Sequence, residues 1–99
     1  MIEKKNERLG VSFQLPDRVT VRQQLAYYSG AGLAVGDELF ERYWQGAKAI
    51  ITDWQCEVVP DILADLGSLT DPKATDVILW AGMEVKKYMD NLDSVPKNS

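Results

Sequence analysis

Four carboxylates recur at intervals of four residues in the middle of the chain, at Asp53, Glu57, Asp61 and Asp65. On one unbroken helix this spacing would place them on a single face, where they could bind a hard cation or face a protein partner. Pro60 interrupts the run, and the calcium-loop pattern Asp-x-Asp-x-Asp-Gly is absent. We therefore expect a solvated acidic patch and no metal site, with a partner-facing surface as the alternative.

The chain lacks most of the residues that usually carry out nucleophilic catalysis. The 99-residue chain has no histidine and one cysteine, Cys56. Without imidazole, Ser-His-Asp and Cys-His systems cannot form, and neither can zinc sites that need a histidine ligand. A single cysteine cannot form an intrachain disulfide, which is typical of a reducing compartment. We expect a buried, inert thiol, no cofactor and no enzymatic activity.

The charge distribution disfavours two classes of partner. The net charge is −4, and residues 37–99 carry twelve acidic and six basic side chains. An acidic body repels the phosphates of nucleic acids and the headgroups of anionic membranes. The N-terminal sequence MIEKKNERLG has no apolar stretch typical of a signal peptide, and no apolar run approaches the ~18 residues of a membrane span. These features predict a cytoplasmic protein.

The N-terminal third combines one strand signal with one helix signal. Residues 11–15 alternate apolar and polar side chains, which predicts a strand. With no second strand evident, this segment is either an extended arm packed on helices or a strand that pairs with another chain. Thr20 and Gln23 form a capping box, which predicts a helix start, and Val21, Leu25 and Tyr28 are expected on its inner face.

Two longer helices are predicted downstream. After a glycine-punctuated loop at 30–36, apolar residues recur every three or four positions from Phe40 to Val58. This pattern predicts one helix of about 20 residues, capped by Asp37 and ended by Pro60. A short turn follows, and Pro72 begins a last helix with buried positions at Val77, Ile78, Ala81, Val85, Tyr88, Met89 and Leu92.

These elements predict an all-α fold. We expect a small bundle of three main helices plus one short helix, with an extended N-terminal arm. The expected organisation is a flexible N-terminus at 1–10, a single helical domain at 11–93 and a disordered tail at 94–99.

The aromatic residues are the candidate partner-binding site. Tyr27 and Tyr28 are adjacent, so both cannot point into a small bundle, and Trp80 lies beside the apolar stripe of the last helix. Aromatic side chains at the rim of a core are enriched in protein interfaces. Ordinary rim packing is the alternative interpretation.

Three segments carry a family resemblance. They are LPDRVTVRQQLAYYS (15–29), ERYWQGAKAIITDWQCEVVPD (41–61) and WAGMEVKKYMDNLDSVPKN (80–98). From about residue 11 onward, the chain resembles small proteins of tailed bacteriophages and prophages that are similar to tail assembly chaperone candidates encoded near the tape-measure protein. The resemblance includes no catalytic motif, so it assigns no functional residue.

The resemblance implies a non-enzymatic protein that covers apolar segments of a tape-measure protein in the cytoplasm of the bacterial host. One alternative is a structural virion component, either a head-tail connector or a tail protein, that assembles through its N-terminal arm. A homo-oligomer is compatible with that arm. A further alternative is an acidic inhibitor of a host factor, with the run from Asp53 to Asp65 imitating nucleic acid.

Overall fold

The computed structural model describes residues 1–32 and 39–94, and over these ranges the fold is mixed α/β. The prediction of an all-α bundle is therefore wrong. The elements, in chain order, are β1 (Ile2–Asn6), β2 (Val11–Leu15), α1 (Val21–Gly32), α2 (Leu39–Ala47), β3 (Thr52–Cys56) and α3 (Pro72–Ser94), with a 3-10 turn at Leu66–Ser68 before α3. The predicted cap Asp37 and most of the glycine-punctuated loop lie outside the described residues, as do residues 95–99 of the tail.

The strand predicted at residues 11–15 is confirmed, and it is the centre of a three-stranded antiparallel sheet. Val11, Phe13 and Leu15 face the core, while Ser12 and Gln14 lie on the other face. Both predicted roles for this segment are wrong, because β1 and β3 pair with its two edges within the same chain. A central strand with one buried face needs backbone partners on both sides.

The first partner of β2 is the N-terminal segment itself. Residues 2–6, within the stretch predicted to be flexible, form β1 and pair with β2 across a hairpin. The hairpin closes where the backbone N–H of Gly10 donates to the carbonyl oxygen of Glu7, at 3.2 Å, and Gly10 adopts a φ of 66°. The left-handed region is readily accessible to glycine, so this turn suits its sequence.

The second partner of β2 lies where a long helix was predicted. The prediction of one helix from Phe40 to Val58 is wrong, because α2 ends at Ala47 and the chain returns to the sheet as β3. The apolar residues Ile50, Ile51 and Trp54 are spaced as in a helix, yet they belong to a turn and a strand. A short apolar run fits either period, and here the free edge of β2 favours the strand.

A β-bulge in β3 determines which of its side chains face the core. Ser12 pairs with Gln55 and Gln14 pairs with Thr52, so Phe13 alone opposes two residues of β3. One of these two is Asp53, which has a φ of 51°. Aspartate tolerates the left-handed region better than most residues, and the extra residue leaves the side chain of Trp54 on the core side of the sheet.

Glycines allow the helices to approach closely. A Cβ atom on Gly30 of α1 would lie 2.5 Å from the carbonyl oxygen of Gln45 in α2, and one on Gly46 would lie 2.8 Å from the carbonyl oxygen of Tyr27. Between α2 and α3, a Cβ atom on Gly82 would lie 3.3 Å from the backbone nitrogen of Trp44. Backbone therefore packs directly against backbone where α1 crosses α2.

The predicted start of the last helix and most of its predicted buried positions are confirmed. It begins at Pro72, with the backbone N–H of Lys73 donating to the Asp71 carboxylate at 2.9 Å. Its predicted apolar positions are buried, apart from Leu92, which is partly buried. The Tyr88 hydroxyl donates to the carbonyl oxygen of Pro16, which ties α3 to the end of the sheet.

Gly30, Gly46 and Gly82, which lie where helices meet, give a graded prediction. Alanine normally stabilises a helix interior by about 1 kcal/mol relative to glycine. We expect G30A and G46A to reverse this sign and to destabilise the fold by about 1–3 kcal/mol, because the new methyl group meets backbone. G82A should cost less than either. Urea unfolding measures the free energies, and equal stabilisation by all three would contradict this packing.

Candidate functional site

The outward face of α1 carries a stripe of apolar side chains. Val21, Leu25 and Tyr28 are spaced four and three residues apart, so they share one side of the helix. Their exposed fractions are 71%, 63% and 53%. We call these three residues the α1 stripe, and they are the same residues that were predicted to face the core.

The orientation of α1 follows from its contact with α2. Tyr27 and Gly30 are buried, and both lie against Gly46 or its neighbour Gln45. They occupy the side of α1 opposite the α1 stripe. The prediction that Val21, Leu25 and Tyr28 face the core is wrong. Close backbone packing at Gly30 and Gly46 determines which side of α1 faces α2, and that side is not the more apolar one.

The start of α1 is fixed by the predicted capping box. The backbone N–H of Gln23 donates to the Thr20 hydroxyl at 3.1 Å, and the Gln23 side chain accepts from the Thr20 backbone N–H at 2.9 Å. These reciprocal bonds satisfy two backbone N–H groups at the helix start, those of Thr20 and Gln23. They place Val21, the first residue of the α1 stripe, in the first turn of the helix.

The adjacent tyrosines divide between core and solvent, as helix geometry requires. The Tyr27 ring is buried against α2, while the Tyr28 ring packs edge-on against it with centroids 5.3 Å apart. Burial raises the pKa of the Tyr27 phenol, and the nearby Asp90 carboxylate adds to this increase. Tyr28 is therefore the member of the pair that a partner could contact directly.

Trp80 does not share a surface with Tyr28. Its half-buried ring lies on α3 and packs edge-on against Phe13 of the sheet, with centroids 5.5 Å apart. The Tyr28 ring lies on the outward side of α1, away from α2. The structure therefore does not bring the three predicted partner-binding residues together, and Trp80 packs at the sheet.

The four acidic residues also have separate positions. Asp53 occupies the bulge of β3, and Glu57 follows that strand. The Asp61 carboxylate accepts from the backbone N–H of Leu63 at 2.9 Å, and the Asp65 carboxylate caps the 3-10 turn. A strand and two turns replace the helix that would have aligned them. Over residues 1–32 and 39–94, no group of three or more possible metal-ligating side chains is found.

The thiol of Cys56 takes part in local structure. The side chain is half-buried on β3, and its sulfur accepts from the backbone N–H of Val59 at 3.3 Å. The indole N–H of Trp54 donates to the carbonyl oxygen of Val59 at 2.7 Å. Both side chains thus hold the chain as it leaves β3.

A groove that no sequence pattern indicated lies at the start of α3. It encloses about 230 Å³ between the first turn of α2, the 3-10 turn and α3. Phe40, Leu69 and Ile78 supply apolar walls, with Glu41 and Asp71 beside them. Three separate elements contribute to it, so no single stretch of sequence carries its signature.

Comparisons with protein-family models, with curated proteins and with solved structures returned no match for this chain. Among the helices that the structure describes, none is long and apolar enough to cross a membrane.

The two tyrosines provide a matched pair of variants. We expect Y27A to destabilise the fold by about 3 kcal/mol, because it removes a buried ring. Y28A should cost less, about 1 kcal/mol, because Tyr28 is 53% exposed and the variant removes its edge-on contact with the Tyr27 ring. Chemical denaturation followed by circular dichroism measures both, and equal losses would contradict the different burial of the two rings.

Proposed function

We propose that this chain is a non-enzymatic protein-binding domain that covers an apolar helical segment of a partner protein. The observation that carries the proposal is the α1 stripe, which exposes three large apolar side chains on one helix face. Solvent-facing helix surfaces are usually polar, and an apolar stripe on such a surface is typical of a binding site.

The chemistry of the face indicates the chemistry of the partner. Arg22 is the single charged residue between Val21 and Gly32. A face with so little charge favours an apolar segment over a strongly charged one. An amphipathic helix that lies along α1 would supply apolar side chains at the matching spacing of three and four residues.

The partner we propose is the tape-measure protein of a tailed bacteriophage. The resemblance of residues 15–29, 41–61 and 80–98 to phage tail assembly chaperone candidates supports this choice. A tape-measure protein is long, helical and apolar before the tail tube surrounds it. In the host cytoplasm, a small chain with a net charge of −4 would help to keep such a complex soluble.

Neither alternative function gains a supporting observation. A virion component that assembles through residues 11–15 would need a free edge on β2, and both edges of β2 are paired. An inhibitor that imitates nucleic acid would need aligned carboxylates, and the carboxylates of Asp61 and Asp65 accept hydrogen bonds within turns.

Binding to defined peptides tests the proposal. Labelled peptides that span the apolar helical segments of the tape-measure protein from a related tailed phage are titrated with the chain, and anisotropy is recorded. We expect L25S to raise the Kd about tenfold, because it removes the central apolar side chain of the face, and tenfold corresponds to about 1.4 kcal/mol.

Leu63 provides the matched control. It is 74% exposed, lies in the turn after β3 and is outside the α1 stripe. L63S makes the same chemical change and should leave the Kd unaltered. If no peptide binds the unmodified chain, or if L63S weakens binding as much as L25S, the proposed function is wrong.

A further inference from the structure

The two outer edges of the sheet differ in their ability to accept another strand. The sheet order is β1-β2-β3, so β1 and β3 are the edges. The edge of β3 contains the bulge and the left-handed Asp53, which interrupt a regular row of backbone donors and acceptors. β1 pairs with β2 in continuous register over all five of its residues, so its backbone is regular up to its outer edge.

The sequence of β1 fits a second copy of itself. When two β1 strands pair antiparallel about a twofold axis, directly opposite side chains point to the same face of the sheet. Pairing Lys4 with its own copy keeps the two faces in register and uses the full strand, with Ile2 opposite Asn6 and Glu3 opposite Lys5. A shift by one residue would place outward side chains opposite inward ones.

Charge complementarity supports this register. Glu3 and Lys5 are exposed on the outward face of the sheet. In the twofold pair, each Glu3 lies opposite a Lys5 of the other copy, which gives two cross-strand pairs of opposite charge. Within one chain, Lys5 lies 3.9 Å from Glu7, and both side chains are mostly exposed, so this ion pair offers little competition.

The inward face of β1 is compatible with the same pairing. The ammonium group of Lys4 lies 3.5 Å from the Glu84 carboxylate of α3. Lys87 also contacts Glu84, at 3.4 Å, so this carboxylate offsets only part of the repulsion between the two Lys4 side chains that meet at the axis. Ile2 is 39% exposed, and an added strand would remove part of its apolar surface from water.

We propose that the outer edge of β1 is a self-association site, through which two copies of the chain form a continuous six-stranded antiparallel sheet. This inference is independent of the proposed function, because it uses the sheet edge and not the α1 stripe. A five-residue edge gives a small interface, so the association is concentration-dependent.

Charge reversal with rescue tests the proposal. Sedimentation equilibrium of the full chain at low salt, up to about 1 mM, measures the dimer Kd in a regime where exposed ion pairs are weakly screened. We expect E3K and K5E each to raise the Kd about tenfold, because both cross-strand pairs then join like charges. The double variant E3K/K5E should restore the original Kd, since it exchanges the two charges.

Mixing the two single variants gives the decisive measurement. E3K and K5E together should form a heterodimer about as tightly as the unmodified chain, because every cross-strand pair is again of opposite charge. E57K is the matched control, since it makes the same charge change as E3K at an exposed position beyond β3. A monomer at all concentrations, a dimer insensitive to both reversals, or a mixture that fails to associate would overturn the proposal.

Discussion

Four aromatic rings hold the sheet and two helices together, and the remaining structure depends on this contact. Phe13 of β2 stacks on Trp54 of β3 at 5.9 Å and meets the edge of Trp80 of α3 at 5.5 Å, while Trp54 contacts Trp44 of α2 at 5.4 Å. Large rings bury much apolar area and prefer these offset and edge-on arrangements. The cluster requires β3 to be a strand beside β2, because a helix continuing from α2 would carry Trp54 away from the sheet.

Close helix packing then determines the surface that α1 presents. The backbone contact at Gly30 and Gly46 buries the side of α1 that carries Gly30. Tyr27 lies on this side and is buried with it. The more apolar side of the helix is left facing solvent. The binding surface proposed for this protein is thus a consequence of how α1 docks on α2.

The candidate site was only partly predictable for the same reason. Helix geometry alone requires that Tyr27 and Tyr28 face different directions, but it does not say which one is buried. Trp80 looked available because it lies beside the apolar stripe of α3, and it is instead covered in part by Phe13. The acidic residues seemed aligned because a helix was assumed, and β3 with its two following turns separates them.

Local interactions are what the sequence by itself determined. The capping box at Thr20, the strand at residues 11–15 and the core face of α3 from Pro72 are all encoded by residues a few positions apart, and all are present. Only the tertiary structure decided that residues 52–56 form a strand and that α1 turns its apolar stripe outward. Each of these outcomes depends on a partner distant in the chain, the free edge of β2 in one case and the glycine of α2 in the other, and sequence periodicity contains no information about such partners.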